Sequence, residues 1–288
     1  LSPIEGRTRA MLMALPGPPR EMKPMFIDQV APLVLSHFAG NGRCLRTLSF
    51  FICGVSESRL NEAVKDLFGH DPEVNFALLA RPGLVNVRLT LMGRDEARNL
   101  VLEALWRERI HQRLGRDNVF CEDGESLEES LGRMMRERAQ TLCTAESCTG
   151  GLIAGGLTDV AGASDFLREG FVTYANEAKM KRLGVPEAMI NAYGAVSSQV
   201  AEAMALGAWR ESHADWALSV TGIAGPSGGS EAKPVGLVYF GRIGPEGLIR
   251  SRSCRFLGDR ASIRQQAVST ALDFLRRGLI GAPDAPEL

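Results

Sequence analysis

The stretch Thr141–Thr158, TLCTAESCTGGLIAGGLT, decides the fold. A short apolar run delivers Ser147 into a Cys-Thr-Gly-Gly turn, and a small-residue helix over Thr149–Val160 follows at once. A strand that feeds a helix start aims backbone N–H groups and the positive dipole end at whatever lies beside the turn. Ser147 is therefore expected where an oxyanion or a phosphate is stabilised, with Thr149 and Gly150 in the cradle.

Working outward, strands are expected near Thr141–Glu146, Leu167–Tyr174, Trp216–Thr221, Gly236–Arg242 and Ile249–Phe256. Helices are expected near Thr149–Val160, Asn176–Leu183, Ser197–Ser212 and Asp259–Gly278. Such alternation implies a three-layer α/β domain. The tight GPEG turn makes the last two strands antiparallel, so the sheet is mixed. This domain is placed at residues 122–288. It opens with a helix over Leu127–Ala139, which Ser126 caps with Glu129 at the capping-box position.

Upstream, residues 43–121 read as a small α+β domain: strand, turn, helix, two strands, a long helix and a final strand. Val85, Val87, Leu89 and Leu91 alternate with Asn86, Arg88, Thr90 and Met92, which marks a half-exposed strand. Residues 1–42 read as a short strand from Met11, a Pro-Gly-Pro-Pro turn and an amphipathic helix. That is too little chain to bury a core, so it is expected to be the tail of a domain whose upstream part is missing.

The 288 residues carry 33 basic and 34 acidic side chains, a balance that argues against a general nucleic-acid or membrane-surface binder. Nothing approaches the ~20 apolar residues of a membrane span, and nothing resembles a signal peptide. The six cysteines are scattered without CxxC pairs or companion histidines, so neither zinc nor disulfides are expected and a reducing cytoplasm fits.

Serine needs a base close by. Of four histidines only His213 lies in the third unit, late on a polar helix end, and GxSxG is absent. Lys179 is the substitute: it acts as a base only when neutral, with its pKa lowered by burial or a nearby positive charge. The alternative is an ordinary solvated lysine. Tyr174 could relay a proton between Ser147 and Lys179 or position substrate. Cys148 is either a second nucleophile candidate or a small buried cysteine. The loop Thr221–Gly229, TGIAGPSGG, with Thr221, Gly222, Gly225 and Gly228, either cradles an anion or is a plain turn. Lys233 and Arg264 add positive charge nearby. Arg260, at a helix start, either grips a phosphate monoester or forms a surface salt bridge.

TAESCTGG, GFVTYANEAK, LGV, GAVS, TGIAGPSGG, KPVG and FLGDR resemble, in order and spacing, the C-terminal domain of the CinA family. The resemblance covers roughly Ser126–Leu279 and implies a nicotinamide-nucleotide amidohydrolase. Such an enzyme hydrolyses nicotinamide mononucleotide to nicotinate mononucleotide and ammonia, with no metal or other cofactor. It implies Ser147 as nucleophile, Lys179 as base and Tyr174 assisting, with the Thr221–Gly229 loop and Arg260 holding the mononucleotide. One departure is Ser227, where the family often has glycine or aspartate. The middle unit resembles the KH-type domain of longer CinA proteins. Its nearest counterpart to a GXXG clamp, Gly54-Val55-Ser56-Glu57, lacks the second glycine and adds an acid, so RNA binding is not expected. LPGPPREM resembles the end of the family's molybdopterin-binding-like domain. The ADP-ribose pyrophosphatase activity linked to that domain is not expected here. Family precedent and a spacer-like middle unit favour a homodimer. The rival readings are a non-catalytic nucleotide-binding module and nucleic-acid binding through the middle domain.

Overall fold

The structure is a computed structural model, which describes residues 12–38, 45–122 and 124–286. The Met11 end of the expected first strand and Asp123 of the linker lie outside these residues. Leu12–Pro16 form no strand, contrary to expectation, because the prolines of the PGPP turn pass straight into a helix. That helix runs as α1 (Pro19–Met25), a π-helical turn (Phe26–Val30) and α2 (Ala31–Phe38). Neither α1 nor the π-turn buries any residue.

The middle unit comprises β1 (Arg46–Cys53), α3 (Glu57–Val64), β2 (Val74–Arg81), β3 (Leu84–Leu91), α4 (Glu96–Leu114) and β4 (Val119–Cys121). Its sheet has the order β2-β3-β1-β4, antiparallel throughout. The alternation read in the sequence sets the two faces. Leu48, Phe50 and Ile52 of β1 and Val85, Val87, Leu89 and Leu91 of β3 pack in one core with Leu60, Leu102 and Trp106 of α3 and α4. The intervening positions point the other way, and Phe51, Cys53 and Leu84 join the core of the next unit. The Gly54–Glu57 stretch is simply the cap of α3, with the Ser56 side chain accepting from the Arg59 amide.

The third unit contains α5 (Leu127–Glu137), β5 (Leu142–Glu146), α6 (Leu152–Thr158), β6 (Leu167–Val172), α7 (Asn176–Leu183), α8 (Glu187–Tyr193), α9 (Ser198–Ser212), β7 (Trp216–Gly222), β8 (Leu237–Ile243), β9 (Ile249–Arg255) and α10 (Arg260–Ile280). The sheet order is β6-β5-β7-β8-β9, with β6, β5 and β7 parallel and β8 and β9 antiparallel. It is mixed, as expected. The capping box of α5 is present: Glu129 N–H donates to Ser126 Oγ, and Ser126 N–H donates to Glu129 Oε2. Only α8 has no counterpart in the sequence reading.

Strand parity builds the three layers. Leu142 of β5 and Leu218 and Val220 of β7 face α5, α6 and α10. Cys143, Ala145 and Ala217 face α7, α8 and α9. The helices that follow neighbouring parallel strands thus lie on opposite faces, α6 after β5 on one side and α7–α9 after β6 on the other. That divergence opens a crevice at the carboxyl ends of the parallel strands.

Helix α10 also anchors the middle unit. Arg276 and Arg277, both buried, share the Asp273 carboxylate, then donate to the Asp117 carbonyl and to Asn118 Oδ1. At the β2–β3 turn Gly83 has φ +81°, and a Cβ there would stand 2.9 Å from Ser269 Cβ. Glycine is needed for this approach. Among the described residues no helix is long and apolar enough to cross a membrane.

Candidate active site

The site is assembled by continuing β5 one residue beyond its end. Ser147 N–H donates to Val220 O at 3.0 Å, so the β5–β7 ladder still holds there and so does its parity. Glu146 therefore faces α6, while Ser147 faces α7. These two neighbours meet opposite fates.

On the α7 side, Lys179 Nζ lies 3.0 Å from Ser147 Oγ, 2.9 Å from Thr173 O and 3.1 Å from Tyr174 O. Lys179 is 1% exposed and Ser147 9%. Burial lowers the Lys179 pKa, against smaller opposing effects from Cys148 and Glu177. A neutral amine can donate two N–H bonds to the two carbonyls and keep its lone pair for the serine proton. This is the arrangement of a nucleophile beside a base.

On the α6 side, the Glu146 carboxylate turns back onto the helix start. Its Oε2 accepts from Gly151 N–H (2.9 Å) and Ile153 N–H (3.1 Å), and its Oε1 from Ala154 N–H (2.9 Å). The Gly151, Ile153 and Ala154 amides are thus taken by a buried acid and the Gly150 amide by Ser147 O, which narrows the expected cradle at the α6 start. Among the described residues, the amides of Cys148 and Thr149 have no acceptor within the chain; Cys148 lines the cavity beside Ser147, whereas Thr149 is fully buried off it. Outside the turn, Arg264 donates from Nε to Cys148 O (3.1 Å) and from Nη2 to Thr149 O (2.7 Å).

Around the pair lies a cavity of about 180 Å3, lined in part by Tyr174, Asn176, Ala195, Thr221, Gly222 and Arg260. Of the residues singled out from sequence, the structure brings together Ser147, Lys179, Tyr174, Thr221, Gly222 and Arg260. Thr149, Gly150, Gly225 and Gly228 lie off the lining. Thr149 is fully buried, and Gly150 forms the turn at φ +62°. Gly225 gives its carbonyl to Arg260 at 2.8 Å, and Gly228 is exposed.

Tyr174 is not a bridge between Ser147 and Lys179. The residue is 61% exposed and its hydroxyl accepts from Arg260 Nη2 at 3.2 Å, while the serine and lysine touch directly. Its backbone carbonyl, rather than its phenol, meets the amine. Cys148 lines the cavity as well, but burial pushes its thiol up to about 11, so the thiolate is scarce at neutral pH. Among the described residues no three His, Cys, Asp or Glu side chains gather as a metal site.

Sequence reading passed over Glu146, Asn176 and the Ala195–Val196 wall. Thr221 Oγ1 donates to Ala195 O at 2.8 Å, and Lys233 Nζ donates to Val196 O at 2.7 Å. Lys233 thus straps the wall rather than merely adding charge. The GAVS motif marked this segment, but its meaning needed the fold.

A family model described as the CinA C-terminal domain matches residues 124–279, and one described as the damage-inducible protein CinA KH domain matches residues 46–120. A competence-damage inducible protein of Caldicellulosiruptor bescii is 46% identical over 92% of this chain and 64% of its own length. A namesake from Symbiobacterium thermophilum is 43% identical over 95% of this chain and 66% of its own. The chain spans slightly less than two thirds of these relatives. The crystal structure of competence/damage inducible protein CihA from Agrobacterium tumefaciens has 44% identity and TM-score 0.53. It covers 56% of this chain and 98% of its own. A CinA superfamily protein from Klebsiella pneumoniae has 35% identity and TM-score 0.52, covering 54% of this chain and 96% of its own.

Proposed function

The chain belongs to the CinA family, and from that premise we propose that it is an amidohydrolase acting on the carboxamide of nicotinamide mononucleotide. The observation that carries the reading is the 3.0 Å contact between the buried Lys179 amine and Ser147 Oγ. Such a pair suits acyl transfer. The cavity of about 180 Å3 supports a small planar head group inside. It is smaller than the roughly 300–1,000 Å3 that encloses a drug-sized ligand. The rest of the nucleotide would then lie across the mouth, where Arg260 and Tyr174 are exposed. A guanidinium there suits a phosphate monoester.

In the proposed reaction Lys179 takes the Ser147 proton as Oγ attacks the carboxamide carbon. The tetrahedral oxyanion is met by the free amide of Cys148, which lines the cavity. The proton on Lys179 passes to the departing nitrogen, the C–N bond breaks and ammonia leaves. Water, deprotonated by Lys179, attacks the acyl-serine ester, releasing the carboxylate and returning the proton to Ser147.

The test is ammonia release from nicotinamide mononucleotide, with Ser147→Ala as the control. Loss on the order of 10⁴-fold or more is expected, since a nucleophile has no partial substitute. Near-normal turnover by that variant would reject the acyl-serine route. Saturable binding without ammonia from the unsubstituted chain would leave a nucleotide-binding module.

A further inference from the structure

Two successive carbonyls of the nucleophile turn, those of Cys148 and Thr149, are gripped by one guanidinium fork from α10. Arg264 packs so closely on the turn that a Cβ at Gly150 would stand 3.4 Å from its Nη2. Early in a helix a cation works against the dipole, so this placement is not explained by helix stability. In a trans peptide the carbonyl and the following N–H point to opposite sides. Holding the Thr149 carbonyl toward α10 therefore turns the Gly150 N–H away from it, toward the Ser147 carbonyl. The Ser147 carbonyl is taken inside the turn by Gly150 N–H at 3.1 Å, which turns the Cys148 N–H outward in the same manner.

We propose that Arg264 is a positioning residue that holds the nucleophile turn and so sets the direction of the Cys148 amide serving the oxyanion. It touches no reacting atom. Lysine cannot replace it fully, because a single ammonium does not span two carbonyls as a planar fork does. The proposal rests on the acyl-transfer reading above, though not on the identity of the nucleotide.

The experiment compares the unsubstituted chain with Arg264→Ala and Arg264→Lys in two assays. The first is ammonia release from nicotinamide mononucleotide. The second is acetylation of Ser147 by p-nitrophenyl acetate, followed by nitrophenolate burst and intact mass. Arg264→Ala should lower kcat and the burst rate about 10²-fold, as for loss of one oxyanion donor. KM, nicotinate mononucleotide binding and the pH midpoint set by Lys179 should stay unchanged. Arg264→Lys should recover part of the rate, and guanidinium ion well below denaturing concentrations should partly rescue Arg264→Ala. Rates for Arg264→Ala within about threefold of the unsubstituted chain would overturn the proposal. So would an equal loss of nicotinate mononucleotide binding, which would mean the site had collapsed. If ammonia is absent throughout while the burst persists and responds to Arg264, the substrate assignment fails and the positioning role stands.

Discussion

Two glycine-rich turns leave the carboxyl ends of the neighbouring strands β5 and β7, and they are built in opposite ways. The Ser147–Gly151 turn is clamped from both sides, by the Glu146 carboxylate within and the Arg264 guanidinium without. The Thr221–Gly229 loop starts in the core and ends in water. At Gly222 the backbone passes so close to β8 that a Cβ would stand 2.7 Å from Val238 Cγ2 and 2.9 Å from Leu237 O. At Gly228, φ is +87° and a Cβ would meet nothing nearer than 3.9 Å. One glycine answers a demand for space and the other a demand for backbone conformation. Only the first borders the cavity.

The largest effect that can break this contrast lies at the clamped turn. Lys179→Met should lower kcat/KM by about 10²–10⁴-fold, the usual contribution of a positioned base. Burial lowers the amine's pKa, and the protonated form cannot accept the serine proton. Activity of the unsubstituted chain should therefore rise with pH through that lowered pKa and fall away below it. The Lys179→Met profile should lack this limb. A variant that keeps the limb would place the base elsewhere.

Glu146→Gln sharpens the same side. The amide keeps one oxygen for three N–H groups, leaving at least one buried donor facing an NH2. A loss of about 1–3 kcal/mol is expected, read from the denaturant midpoint at unchanged slope. An unmoved midpoint would mean that the glycines, not the carboxylate, hold the turn.

The smallest effects test the open loop. Gly222→Ala should destabilise by about 1–3 kcal/mol through overpacking and should impair turnover, because the strand end it displaces lines the cavity. Gly228→Ala should cost about 1–2 kcal/mol through its left-handed backbone and leave activity unchanged. Activity lost in Gly228→Ala would bring the solvent end of the loop into the site.

Much of this was legible from residues. Ser126 and Glu129 announced a capping box, and the structure has both of its bonds. The alternation in TLCTAES contains the parity that sends Glu146 and Ser147 to opposite faces. What was missed depends on neighbours distant in the chain. Glu146 gained its role only when α6 folded against its face of the strand. Tyr174 looked like a bridge because spacing along a chain says nothing of how far a lysine reaches. The short helix α8, one buried residue long in its core contribution, left too brief a pattern to read. Lys233 and Arg264 read as loose positive charge, and both grip backbone carbonyls.

Local physics therefore determined the alternation of strands and helices, the mixed sheet and the two loops. Periodicity, caps and turns are properties of consecutive residues. The meeting of an amine and a hydroxyl 32 residues apart was decided by tertiary packing alone. The amine's readiness to take a proton comes from the same source, because desolvation belongs to what surrounds a group and not to its place in the chain.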